Sequence, residues 1–164
     1  MINEQRREVS ITLRRLDLFM RVIGMQTAQE NGLYFGQLPA LEYIEQNEGC
    51  TQRALADRLG ISPPCVATSV KRMQRAGLIK KVGDEQDLRV TRLYTTELGR
   101  AHAARCRTEF DRLDAQMLSG FSEEELSTVQ ALLLRMIENI GDRQTPTREL
   151  IRQLRKTVNT EKEA

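Results

Sequence analysis

The sequence predicts a mainly α-helical chain with one small β-hairpin. Three observations carry this: apolar residues recur at helical spacing through most of the 164 residues, hydroxyl N-caps and glycine stops separate the runs, and only two short stretches favour strands.

Leu13, Leu16, Met20, Ile23 and Thr27 form one stripe of a long helix from Glu4 to Gln29, ending near Asn31-Gly32. Pro39 is expected to open a second helix through Leu41 and Ile44, stopped by Asn47-Glu48-Gly49. Thr51 reads as the N-cap of a helix over Gln52 to Leu59, with Ala54, Leu55 and Leu59 inward and Gly60 just past its end. Ser62 and Pro63 start the next helix at once, anchored by Val66, Val70 and Met73 and stopped at Ala76-Gly77. Leu78 to Val82 and Leu88 to Tyr94 read as a hairpin around Gly83-Asp84-Glu85-Gln86-Asp87. Thr96 caps a helix from Glu97 to about Ser119 with Leu98, Phe110, Leu113 and Met117 on its apolar side. Ser122 to Glu125 is a capping box for a last long helix, whose stripe holds Leu126, Val129, Leu132, Leu133, Met136, Ile137 and Ile140. After Thr145-Pro146 a further helix through Leu150, Ile151 and Leu154 is expected, fraying from Asn159.

Composition narrows the function. The longest apolar run, Ala131 to Leu134, is far short of a membrane span, and the N-terminus is polar, so a soluble cytoplasmic protein is expected. Cys50, Cys65 and Cys106 form no CxxC pair, and a single histidine, His102, argues against a metal site; no metal or other cofactor is expected. His102 is expected on the surface of its helix, and Cys50 and Cys106 in packing roles. No nucleophile–base arrangement or glycine-rich phosphate loop suggests an enzyme. The net charge of +2 decides little, but its distribution does: Lys71, Arg72, Arg75, Lys80 and Lys81 fall between Ser62 and Val82, a stretch with no acid.

Two helices joined by Gly60-Ile61 form a helix-turn-helix, and the hairpin behind them forms a wing. At about 100° per residue, the face opposite Val66, Val70 and Met73 carries Pro64, Cys65, Thr68, Lys71, Arg72 and Arg75. These are the candidate DNA contacts. Thr68 is placed to read bases, and the three cations to meet phosphates. Ser62 adds a hydroxyl at a helix N-terminus suited to phosphate, and Arg89 is the best cation of the wing. Cys65 lies near that same N-terminus, so two readings stay open: a thiol-oxidation switch acting through Cys65, or a small residue where serine or threonine would also fit.

From about Leu13 to Ile140 the chain resembles the MarR-type transcriptional regulators. The likeness is carried by 51–64 (Thr-Gln-Arg-Ala-Leu-Ala-Asp-Arg-Leu-Gly-Ile-Ser-Pro-Pro), Val70-Lys71-Arg72-Met73, Ala76-Gly77-Leu78-Ile79, the wing Asp84 to Arg89, and Thr96-Glu97-Leu98-Gly99. Gln86 stands where the family often has a wing-tip arginine, and Thr68 where its recognition helix commonly has one. The resemblance implies a homodimer whose first and last helices intertwine, with Asp87 bracing a neighbouring arginine of the wing and Arg89 either adding DNA-facing charge or bracing the wing's base. It also implies a repressor released by a small-molecule effector in the crevice beside the reader. Amphipathic helices too apolar for one reader to cover independently suggest dimerisation, and two-fold symmetry then calls for a pseudo-palindromic operator on double-stranded DNA.

The expected organisation is an N-terminal dimerisation helix over 1–37, a winged helix-turn-helix DNA-binding lobe over 38–95, and C-terminal helices over 96–164 that complete the helical dimerisation domain. The competing class is a winged-helix protein-interaction adaptor, since the fold does not fix the function. Such an adaptor has no need of an acid-free reader helix.

Overall fold

The computed structural model describes residues 4–34, 36–84, 87 and 89–154. In chain order the elements are α1 (Glu4–Glu30), α2 (Gln37–Gln46), β1 (Cys50–Thr51), α3 (Gln52–Leu59), α4 (Pro63–Arg75), β2 (Ile79–Gly83), β3 (Thr91–Thr95), α5 (Glu97–Met117) and α6 (Glu123–Ile140), and residues 147–154 are helical. Among the described residues no helix is long and apolar enough to cross a membrane.

Local chemistry sets most of these boundaries. Thr51 Oγ1 accepts the Ala54 N–H at 3.1 Å, Ser62 Oγ accepts that of Cys65, and Thr96 Oγ1 accepts that of Gly99 at 3.0 Å, so each helix has one of its orphan donors satisfied by the residue before it. The Ser122–Glu125 capping box is complete in both directions, and the Ser122 backbone N–H it engages holds the Glu125 carboxyl below its ordinary value. Gly60 ends α3 with φ of 64°, and a Cβ there would also lie 2.7 Å from the Arg148 carbonyl oxygen, so the turn between α3 and α4 is closed on its outer side by the C-terminal segment.

Three features differ from the sequence reading. Helix α2 begins at Gln37, two residues before Pro39. Proline in the first turn has no intrahelical bond to lose, so it need not mark the start. A third strand, β1, pairs antiparallel with β3 through Cys50↔Leu93 and Thr51↔Arg92, giving the order β1-β3-β2. The hairpin itself pairs Ile79↔Thr95 through Gly83↔Thr91, which leaves Arg89 and Val90 in the connection rather than in a strand. One backbone bond still crosses beyond this pairing, from Asp84 N–H to the Val90 carbonyl at 2.9 Å, and the turn is then held by Asp84 Oδ1 accepting the Asp87 N–H at 3.1 Å and Asp87 Oδ1 accepting the Arg89 N–H at 3.0 Å.

The core lies where α2, α3, α4 and the sheet meet the start of α5. Leu41, Ile44, Leu55, Val66, Val70, Met73, Leu78, Leu93 and Cys106 are fully enclosed there. Helix α5 turns Gly99, Ala103 and Cys106 inward, while Leu98, expected on its apolar face, is exposed. Small residues let this helix approach closely, and the joint is tight: a Cβ on Gly99 would fall 2.0 Å from the Leu78 carbonyl oxygen. By contrast α1 buries only Gly24, Thr27 and Ala28, and α6 buries none of its residues.

Candidate nucleic-acid interface

Helix α4 is held to the core by Val66, Val70 and Met73, all with no measurable exposure. Pro64, Cys65, Thr68, Lys71, Arg72 and Arg75 are all exposed on the side turned away from them. The sequence-derived face is therefore brought together on one surface. Among the described residues, no carboxylate lies within ion-pair distance of Lys71, Arg72 or Arg75. Their charge is directed to solvent.

At the start of this helix Ser62 is exposed, and because its oxygen accepts from Cys65 N–H its own proton remains available for an anion. Thr68 is less open than its position suggests. Its hydroxyl donates to the Pro64 carbonyl at 3.0 Å, leaving the methyl group and the oxygen lone pairs outward. Arg72 lies over the ring of Tyr34, 5.1 Å from the centroid, a neighbour contributed by the loop after α1.

The wing follows α4 in the chain. Arg89 is exposed in the connection between β2 and β3, and Gln86 lies outside the described residues. Asp87 engages the backbone of Arg89 rather than a guanidinium. The carboxylate that does hold an arginine side chain is Asp84, which accepts from Arg92 Nε at 2.6 Å while Arg92 Nη1 donates to the Gly49 carbonyl at 3.2 Å. This pair bolts the base of the wing to the end of α2. Lys80 of β2 is exposed, its ammonium 5.6 Å from the Tyr94 ring centroid.

A sequence model of the MarR family matches residues 31–89. An uncharacterised HTH-type transcriptional regulator of Bacillus subtilis, YybA, is 31% identical over 139 residues, which covers 85% of this chain and 90% of that protein. The chain belongs to the MarR family. Among solved structures, the Staphylococcus aureus MepR–DNA complex is similar with 25% identity, a TM-score of 0.62, and coverage of 80% of this chain and 95% of that one. The YusO protein of Bacillus subtilis matches the fold with a TM-score of 0.72 at 18% identity, over 84% of this chain and 98% of that one.

MarR-family proteins are transcription regulators and not enzymes, so this MarR-family chain is a transcriptional regulator. Its fold is the winged helix-turn-helix of these neighbours. Sequence reasoning missed the Asp84–Arg92 pair, which closes across the hairpin, and Tyr34, whose partner Arg72 stands far away in the chain; it put His102 on or near the surface of its helix. His102 is half-buried, its Nδ1 2.7 Å from the Asn31 carbonyl oxygen, where α5 meets the end of α1. Burial pushes the thiols of Cys106 and Cys50 above their ordinary values, which suits packing rather than reactivity.

Proposed function

We propose that the protein is a homodimeric repressor that binds a pseudo-palindromic site in double-stranded DNA. The observation that carries the reading is the acid-free outward face of α4, with the braced wing beside it. In this reading Thr68 and the first turn of α4 meet base edges, Ser62, Lys71, Arg72 and Arg75 meet phosphates, and Arg89 of the wing reaches the adjacent backbone. Residues 38–95 form the reader, and 1–37 with 96–164 form the dimerisation module.

Support for the dimer comes from α1 and α6. Val9, Leu16, Phe19, Met20, Val129, Leu133, Met136 and Ile137 are all exposed in the single chain. Soluble monomers rarely leave so many large apolar side chains uncovered along two helices. The repressor assignment and the response to a small molecule rest on the family. A depression of about 390 Å³ at the end of α1 and the loop that follows, lined by Met25, Gln29, Leu33 and Tyr34, is the place we assign to an effector. Such a ligand shifts DNA affinity only by its preference for one arrangement of the lobes.

Selection of binding sites from a randomised duplex pool, followed by titration at several salt concentrations, tests the DNA reading. With Lys71, Arg72, Arg75 and Arg89 from both copies on phosphates, the log–log salt slope should approach about −7. A protein that enriches no duplex, or binds without salt dependence, overturns the proposal.

A further inference from the structure

Tyr34 stands outside the helix-turn-helix and wing, on the loop between α1 and α2, and is 63% exposed. Its ring nevertheless belongs to the same surface, because it faces the Arg72 guanidinium and closes with it a groove of about 350 Å³ that Pro64, Cys65 and Thr68 also line. The backbone carrying the ring is held on several sides. Leu33 is buried in the core, the Tyr34 N–H donates to Gln37 Oε1 at 2.9 Å, and Gln37 is itself buried. Just before them, the Asn31 carbonyl meets His102 of α5. An exposed ring on a fixed backbone is a platform rather than a loose side chain.

We infer that Tyr34 is a positioning residue for Arg72 in DNA binding, an inference that rests on the DNA reading above. An arginine on an open helix face samples many rotamers, and ordering it against DNA costs entropy. A ring against one face of the planar guanidinium restricts that sampling beforehand, and it leaves the in-plane N–H donors directed at a phosphate or a base edge. The contact also joins the end of α1 to the DNA-facing side of α4. A displacement of α1 relative to α4 therefore alters the setting of this cation without unfolding anything.

A double-mutant cycle on the duplex enriched by selection tests this, using fluorescence anisotropy. Tyr34→Ala should weaken binding about two- to five-fold per half-site, the ratio expected of one surface cation–π contact, and by about the square of that for a dimer on two half-sites. Tyr34→Phe, which keeps the ring, should restore it. On an Arg72→Ala background, Tyr34→Ala should add nothing. If Tyr34→Ala lowers affinity by the same factor in both backgrounds, the residue acts through loop packing and the inference is overturned; a Tyr34→Ala variant with Arg72 intact that binds as tightly as wild type overturns it equally. A wild-type protein that binds no duplex removes the DNA reading, and the inference with it, whereas wild-type binding with either of those outcomes removes the inference alone.

Discussion

Thr68 and the three cations of α4 share one helix face but have different chemistry to offer. The Thr68 hydroxyl proton is committed to the Pro64 carbonyl, so what it presents outward is chiefly a methyl group, suited to a thymine methyl in the major groove. Thr68→Ala should therefore leave affinity for random duplex unchanged and reduce the preference for the selected site by about two- to ten-fold, read by competition between the two. Changing Lys71, Arg72 and Arg75 together to alanine should weaken binding to both duplexes and flatten the salt slope by about 5, since roughly six phosphate contacts per dimer are lost. Equal effects of both variants on both duplexes would contradict the division of labour. The caps Thr51, Ser62 and Thr96 were legible in the sequence because each hydroxyl finds its donor only three residues away. Tyr34 was not, because Arg72 is brought to it by the packing of α4 and not by proximity in the chain.

Helices were easier to read than the sheet. The anchors Val66, Val70 and Met73 repeat at helical spacing and are buried as their period requires. Strand β1 has two residues, too few for any alternation to register, and it exists only because β3 offers it an edge. The wing connection depends on Asp84 and Asp87, whose side chains bond nearby backbone, and β3 starts at Thr91. The joint between α5 and the sheet makes a sharp demand. The Leu78 carbonyl oxygen that would meet a Cβ on Gly99 is already fixed by the Thr96 N–H at 3.0 Å and cannot easily retreat. Gly99→Ala should cost about 3 kcal/mol or more through overpacking and lower Tm by roughly 6–12 °C in a thermal melt. A melting temperature equal to wild type would show that α5 shifts freely.

For the whole chain, the balance between the enclosed core and the uncovered helices is the main clue to assembly. Helix α6 has no buried residue, yet Val129, Leu132, Leu133, Met136, Ile137 and Ile140 form one apolar stripe along it. Water contact along such a stripe is unfavourable by about 25 cal/mol for each Å² of apolar surface, and the proposed second copy would remove it. Leu133→Glu with Ile137→Glu should convert the dimer to a monomer in sedimentation velocity and weaken operator binding, since one reader then contacts one half-site. A wild-type protein that sediments as a monomer at micromolar concentration would end the dimer reading.

The sequence by itself determined what neighbouring residues decide together: helix starts and stops, the glycine turn at Gly60, the apolar anchors of α4 and the acid-free basic face behind them. These follow from hydrogen bonds and side-chain periods that act within a few residues, so they are visible without a fold. Tertiary structure alone decided which distant groups complete the site: Arg92 with Gly49, Tyr34 with Arg72, β1 with β3, and Gly99 against Leu78. Each of these joins residues whose approach depends on how the whole core packs, and no local preference in the chain encodes that distance.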